Sequence, residues 1–175
     1  PAVVVYVALV GAALAIVFTE PRYLPRPADF LIVSSTGRSL ALLWCVSLIA
    51  MGAHELAHLL AATFLGVRAS FSLGSRLFFA VAQTDLTDLW LVDRPQRYLA
   101  YAAGMACDLV LASTALIALW LDDHLVLPLP VVLCRVLRTA ILVQLVGVLW
   151  QFNVYLRTDV YYLIANATGC RNLSR

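Results

Sequence analysis

Two histidines and a glutamate lie within one short stretch of the chain, GAHELAHLLA at residues 52–61, which is otherwise alanine, leucine and glycine. His54 and His58 are four residues apart, so in a helix their side chains stack on one face, one turn apart. The pattern H-E-x-x-H uses this spacing to aim two imidazoles at one zinc ion, with the glutamate beside them as general base. Zinc takes a third protein ligand at such sites and keeps a fourth position for water. The stretch therefore predicts a Zn²⁺ site in which Glu55 accepts a proton from attacking water.

The elements that must carry this stretch are long apolar helices. The chain has 175 residues, of which 63% are hydrophobic and 13% charged, whereas soluble domains are about 45–50% apolar. Residues 1–19 and 139–156 carry no charge, residues 39–67 are interrupted only by the HELAH cluster, and residues 98–121 only by Asp108. About 20 apolar residues cross a hydrocarbon core of roughly 30 Å. We therefore predict an all-α integral membrane protein with about four transmembrane helices, because a soluble helical bundle would need more polar surface.

The membrane setting changes the interpretation of the HELAH cluster. In soluble proteins H-E-x-x-H occurs by chance on a solvated helix face, but a membrane helix offers no such face, and ionisable residues inside a membrane mark functional sites. The alternatives are a proton or ion pathway and a packing cluster of hydrogen-bonded polar groups. Two of the chain's three histidines lie in the motif, which favours a metal.

The segment between the second and third spans, residues 67–97, has a different pattern. It contains VRASFSLG and SRLFFAVAQ, which are rich in β-branched and aromatic residues around Gly74 and Ser75. This pattern predicts a short β-hairpin-like loop with its turn at the Gly-Ser pair. In residues 122–138 the sequence LVLPLPVV contains two prolines, which we expect to delay the start of the fourth span.

The charges are sparse and all twelve basic residues are arginines, with no lysine in the chain. A nucleic-acid-binding face would need a basic cluster, so we expect no nucleic acid as partner. If successive spans cross the membrane in opposite directions, loops 20–38 and 122–138 lie on one side of it with five arginines. Loop 67–97 and both termini then lie on the other side with seven. The positive-inside rule then makes the second side cytoplasmic.

Because the chain starts at Pro1 without a methionine or a basic leader, we expect a segment of a longer protein, forming a single membrane-embedded domain over residues 1–175.

Depth in the membrane indicates the third metal ligand. His54 and His58 lie roughly 22–28 Å from the start of their span, at 1.5 Å per residue. The last span enters from the same side, and Asp159 comes roughly 27 Å along it. His124 lies in a loop, most of a membrane away. Asp108 lies at a depth close to that of the histidines and competes with Asp159, although hydrogen bonding within the bundle would explain it equally well.

Five motifs follow one another along the chain, which reads HELAH, AQTDLTDLW, AAGMACDL, NVYLRTDVYYLIAN and RNLS. This ordered set resembles the site-2 protease family of intramembrane zinc metalloproteases, and most closely its bacterial branch of peptide zinc metalloproteases. In that branch the corresponding motifs are HELGH, VDASDAW, AAGMxxEL, NPLLRFDGYYLLSD and NLR. The resemblance extends over nearly the whole chain.

The resemblance implies an activity and a set of site residues. Its three zinc ligands would be His54, His58 and Asp159. Glu55 would be the general base, and Asp108 would stand where relatives carry Asn or Glu facing the reacting carbonyl or the metal. Asn153 would help to shape a helix break near the metal. The implied reaction is hydrolysis of a peptide bond in a membrane-associated or transmembrane substrate, in a bacterial cytoplasmic membrane, with the active site toward the cytoplasm.

Two positions depart from the family pattern next to the third ligand. Val154 replaces the proline after the asparagine, and Val160 replaces the glycine after the aspartate. The proline and glycine would break the helix and let the aspartate approach the metal, whereas a β-branched residue disfavours φ > 0. Either Asp159 reaches zinc from a more regular helix or the site is altered.

Three classes of function remain open from the sequence. The first is the peptidase, whose partners are the lipid bilayer and a peptide or transmembrane substrate. The substrate would unwind and pair with an edge strand from residues 67–83. The second is a non-catalytic metal-binding protein of the same fold, acting in peptide export or signalling. The third is a transporter or channel, which the absence of an inverted repeat disfavours. The sequence leaves the oligomeric state open.

Overall fold

The computed structural model describes residues 1–76, 79–85 and 87–169. Within these residues the α-helices are α1 (Ala2–Thr19), α2 (Thr36–Phe64), α3 (Arg94–Asp123), α4 (Val131–Trp150) and α5 (Asp159–Thr168). Two strands, β1 (Ser70–Arg76) and β2 (Phe79–Asp85), lie between α2 and α3. Single 3₁₀ turns occupy Pro21–Tyr23, Pro27–Phe30, Thr87–Leu91 and Val154–Leu156.

Helices α1 to α4 are each long and apolar enough to cross a membrane. In α1 large apolar side chains point outward along the whole helix: Val4 is 71% exposed and Phe18 82%. A helix that is hydrophobic on every side and unburied is stable in lipid rather than in water. The predicted helical class is confirmed, and the described residues contain four helices that could cross a membrane, as the sequence predicts.

The fourth helix begins earlier than predicted. Helix α4 starts at Val131, directly after Pro130, and includes Arg135 and Arg138. The prolines of residues 122–138 predict a later start, but they delay the helix only as far as Pro130. Arginine is a good helix former, and proline is tolerated at a helix start, so only the prolines limit this helix.

Strands β1 and β2 pair in antiparallel orientation, with Ser70 opposite Asp85 at their open end. Gly74 and Ser75 do not form the predicted turn, because both are paired within β1. Residues 77 and 78, which connect the strands, lie outside the described residues. A turn at Gly74 and Ser75 would allow fewer paired residues than this register does, and each pairing satisfies backbone polar groups.

The chain divides into two compact units. The first comprises Pro1–Ala50 and Asp108–Gly147, and the second comprises Met51–Cys107 and Val148–Arg175. The expectation of a single domain stays a prediction.

In the first unit, the connection after α1 is fixed to the last turn of α3. The hydroxyl of Tyr23 donates to Asp123 Oδ2 at 2.7 Å, and Trp120 Nε1 donates to Glu20 Oε1 at 3.0 Å. Burial and the hydrogen bond to Asp123 raise the pKa of Tyr23 to about 12, and the hydrogen bond from Trp120 lowers the pKa of Glu20. These contacts close the end of an apolar core formed by Ala13, Tyr23, Ala115, Leu116, Leu119 and Ile141.

In the second unit, Arg97 fixes the segment that leads into α3. Its Nε donates to the carbonyl oxygen of Val92 at 2.7 Å, and its Nη2 donates to that of Trp90 at 3.0 Å. Its guanidinium also lies over the Trp90 ring, 4.8 Å from the centroid. The core beside it consists of Ala62, Val67, Leu89, Ala100 and Tyr101. The first turns of α3 are thereby held against the last turns of α2, which carry the HELAH motif.

Candidate metal centre

Three potential metal ligands converge in the second unit: His54 and His58 from α2, and Asp159 from the first position of α5. Nε2 of His54 and Nε2 of His58 are 3.2 Å apart, and each lies 3.1 Å from Oδ2 of Asp159. The histidines are buried, with His54 7% exposed and His58 3%. The three residues that the sequence nominated as ligands thus form a compact triangle that could bind a metal ion.

The size of this triangle fits a small divalent cation. A tetrahedral zinc ion with bonds of about 2.0–2.1 Å requires ligand atoms roughly 3.3–3.4 Å apart. The observed separations of 3.1 and 3.2 Å are close to that value. Calcium prefers six or more oxygen ligands at about 2.3–2.6 Å, so two imidazoles and one carboxylate suit it poorly.

The protonation of His58 makes the triangle a donor set for a cation. Its Nδ1 lies 2.7 Å from the carbonyl oxygen of Ala100, which can only accept, so Nδ1 carries the proton. In its neutral form the ring then presents a lone pair at Nε2. Such an outer hydrogen bond is what orients most metal-ligating histidines. If Asp159 is a carboxylate, its negative Oδ2 faces the Nε2 lone pairs of the two histidines at about 3 Å. These atoms repel one another unless a cation or additional protons lie between them.

Helix α3 approaches the triangle through a glycine. A Cβ atom at Gly104 would overlap Nε2 of both His54 and His58. By contrast, a Cβ at Gly52 on α2 would meet nothing within 4 Å. Gly104 belongs to the AAGMACDL motif, from which the sequence predicts no role for it. A glycine inside an apolar helix signals close approach of another group, although it does not say of which one.

A break between α4 and α5 brings Asp159 to the histidines. Helix α4 ends at Trp150, and Arg157 then takes a left-handed φ of 52°. Thr158 is extended, and Asp159 begins the new helix. The chain therefore turns before the aspartate, so Val160 needs no positive φ. The depth estimate for Asp159 assumed one continuous span and was wrong in that respect.

Helix α5 is held at both ends. At its start the N–H of Asp159 donates to Oε1 of Gln151 at 3.2 Å. At its other end Nη2 of Arg94 donates to the carbonyl oxygens of Asn166 and Ala167. Nδ2 of Asn166 donates in return to the carbonyl oxygen of Arg94 at 3.0 Å. These contacts tie α5 to Gln151 at its first residue and to the start of α3 at its last turn.

The carboxylate of Glu55 is bound by the end of β2. Its Oε2 accepts the N–H of Thr84 at 2.7 Å and the hydroxyl of Thr84 at 2.9 Å. The same hydroxyl lies 3.1 Å from the backbone carbonyl oxygen of Glu55. Glu55 is therefore oriented by a strand, and its role as general base stays a prediction.

The two remaining candidates are placed differently. Asp108 lies on α3 in the first unit and is only 3% exposed. Asn153 is exposed in the break after α4, and its Nδ2 donates to the carbonyl oxygen of Trp150 at 3.0 Å. Asn153 thus lies in a helix break, as the resemblance implies, while a catalytic part for either residue stays a prediction.

Comparisons with known proteins do not assign the chain to a family. No family model, curated protein or solved structure matches it. The resemblance of the motifs stays a prediction.

Proposed function

We propose that this chain is an intramembrane zinc metallopeptidase that hydrolyses a peptide bond of a membrane-associated or transmembrane substrate. The observation that carries the proposal is the triangle of His54, His58 and Asp159, with atoms 3.1–3.2 Å apart, beside Glu55 on a helix apolar enough to cross a membrane. Zinc held by these three ligands would polarise the substrate carbonyl and lower the pKa of a coordinated water. The family resemblance of the ordered motifs supports the same reaction.

Glu55 is the general base of the proposed reaction. It accepts a proton from the attacking water and returns it to the nitrogen of the leaving peptide. We assign this transfer to Oε1, because Oε2 already accepts two hydrogen bonds from Thr84. Thr84 is a positioning residue that keeps the carboxylate from rotating.

The strands would hold the substrate. A transmembrane helix must unwind before one of its carbonyls can reach the site, and an unwound segment has unpaired backbone groups. We propose that an edge of the β1–β2 pair takes up this segment by β-addition. The contact of Thr84 with Glu55 supports this, because it places one strand end beside the general base.

Zinc is the metal we propose, although two histidines and a carboxylate also form the facial triad of non-haem iron(II) enzymes. The glutamate beside the first histidine favours zinc, because a hydrolytic site needs a base in that position. We place the protein in a bacterial cytoplasmic membrane with this site toward the cytoplasm, on the basis of the arginine distribution and the resemblance.

The test of the proposal is the substitution Glu55→Gln. The purified chain would be assayed on dye-labelled casein, which is unstructured, and on a transmembrane peptide in liposomes. We expect zinc binding to persist and cleavage to fall by about 10²–10⁴-fold, the usual contribution of a general base. Glu20→Gln, a change in the first unit, is the matched control. Undiminished cleavage by Glu55→Gln would contradict the mechanism.

A non-catalytic metal-binding protein of the same fold is the second candidate. The observation that favours it is the engagement of Glu55 by Thr84, since a purely structural link between a helix and a strand would look the same. Stoichiometric metal with no cleavage of either substrate would support this candidate over the peptidase.

A further inference from the structure

Gln151 is held in place directly after the last residue of α4. Its Oε1 accepts the N–H of Asp159 at 3.2 Å, and its backbone carbonyl oxygen accepts the hydroxyl of Thr158. Both of its anchors belong to the segment that delivers Asp159 to the metal centre.

The orientation of the Gln151 amide follows from these contacts. A backbone N–H can only donate, so the atom facing Asp159 must be the amide oxygen, and the NH₂ group points the other way. The structure places Nε2 of Gln151 3.5 Å from Nε2 of His54. That separation is long for a hydrogen bond, and Nε2 of His54 cannot accept once it ligates a metal. The NH₂ group therefore has two N–H donors directed at the edge of the metal centre.

We propose that Gln151 is a further catalytic residue, whose amide NH₂ donates a hydrogen bond to the carbonyl oxygen of the scissile peptide. The inference rests on the proposed peptidase function. In hydrolysis the water oxygen bonds to the carbonyl carbon, the water proton passes to Glu55, and the carbon–nitrogen bond breaks as the nitrogen takes up that proton. Negative charge develops on the carbonyl oxygen in the first of these steps. One preorganised donor aimed at such an oxygen contributes about 10²–10³-fold to kcat.

The test uses ligand binding as well as turnover. The chain is loaded with Co²⁺, whose visible absorption reports its coordination, and titrated with acetohydroxamate, a small ligand that offers oxygen atoms to the metal. Gln151→Met removes the donor and also the acceptor for Asp159, whereas Gln151→Glu keeps an acceptor for Asp159 and replaces the NH₂ donor by a carboxylate oxygen, which also adds a negative charge. Gln96→Met, at an exposed glutamine at the start of α3, is the matched control.

We expect wild type and Gln96→Met to bind one Co²⁺ and to bind acetohydroxamate equally well. In Gln151→Glu the Co²⁺ stoichiometry should persist while the Kd for acetohydroxamate rises at least about tenfold, and kcat on casein should fall with KM unchanged. If Gln151→Met loses the metal, Gln151→Glu alone decides.

Unchanged acetohydroxamate affinity in Gln151→Glu would overturn the inference, since Gln151 would then act only by placing Asp159. A wild type without Co²⁺ would overturn it together with the metal centre. The wild-type chain could instead bind acetohydroxamate more tightly than Gln151→Glu and yet cleave neither substrate. That result would contradict the peptidase assignment and would still support Gln151 as a hydrogen-bond donor. The failure of the inference and that of the proposed function are therefore distinguishable.

Discussion

Gly104 is the residue at which the metal centre depends on the absence of a side chain. The ligand atoms of His54 and His58 occupy the volume that a Cβ at this position would fill. Van der Waals overlap of this size cannot be relieved by a small rotation, because His58 is also tied to Ala100 through Nδ1. The spacing of the ligands is thus set as much by α3 as by the motif on α2.

Gly104→Ala is therefore expected to disrupt the metal site without unfolding the helix that carries it. The added methyl group should separate His54 from His58 and lower metal affinity by more than the roughly 10–100-fold that loss of an outer-shell contact costs. Gly52→Ala is the control, since nothing lies within 4 Å of a Cβ there and alanine favours a helix by about 1 kcal/mol. Competitive titration with a chromophoric chelator measures both, and equal affinities would refute this part of the account.

At the residue scale the sequence was sufficient to nominate the three residues that the structure brings together, and insufficient for their surroundings. His54 and His58 follow from a local spacing. Asp159 follows from its depth along the last span and from a motif, although the depth argument assumed a helix that is in fact broken. Gly104 and Gln151 act through contacts with residues far away in the chain. No local pattern encodes such contacts, so sequence reasoning left both without a role.

At the scale of elements, the break between α4 and α5 is the feature that completes the site. The sequence lacks the proline and the glycine of the family motif that it resembles, yet the chain still turns, with Arg157 at a φ of 52°. A left-handed arginine carries a small cost that glycine would avoid. The contacts at the two ends of α5 offset that cost, which is why the break could not be located from local propensity alone.

Arg94→Gln is the change that tests this clamp. It removes the charged donor to the carbonyl oxygens of Asn166 and Ala167, so the last turn of α5 should open more often. We expect faster amide hydrogen exchange across residues 159–168 and weaker metal binding, with no change in α4. Arg38→Gln, at an exposed arginine of the first unit, serves as control. Exchange in α5 that is equal in the two variants would show that Arg94 does not hold the helix.

At the scale of the whole molecule, the membrane is the main determinant of the fold. Composition alone predicted four apolar helices, because a run of about 20 uncharged apolar residues rarely occurs in a soluble protein. The strand register was not predictable in the same way, because Gly74 and Ser75 suit a turn as well as a paired strand. The predicted start of α4 came too late in the chain, because arginines near a membrane surface can be part of a helix.

Cys45 provides a test of the membrane assignment. It lies on α2, about 14 Å from the helix start at 1.5 Å per residue, and its side chain is exposed on the protein surface. Lipid should therefore cover it. In a variant that retains only this cysteine, a membrane-impermeant maleimide should fail to label intact vesicles and label readily after denaturation in detergent. Ser35→Cys, in the same background and directly before α2, is the control that should label in vesicles of one orientation. Rapid labelling of Cys45 in vesicles would place α2 in water.

If His54, His58 and Asp159 bind one zinc ion, elemental analysis of the purified chain will detect it. The protein would be purified in detergent without a histidine tag, as wild type, His58→Ala, Asp159→Ala and the control His124→Ala, an exposed histidine directly after α3. We predict one zinc per chain in wild type and in His124→Ala, and little or none in the other two. Wild type without zinc, iron in its place, or full zinc in Asp159→Ala would contradict this prediction.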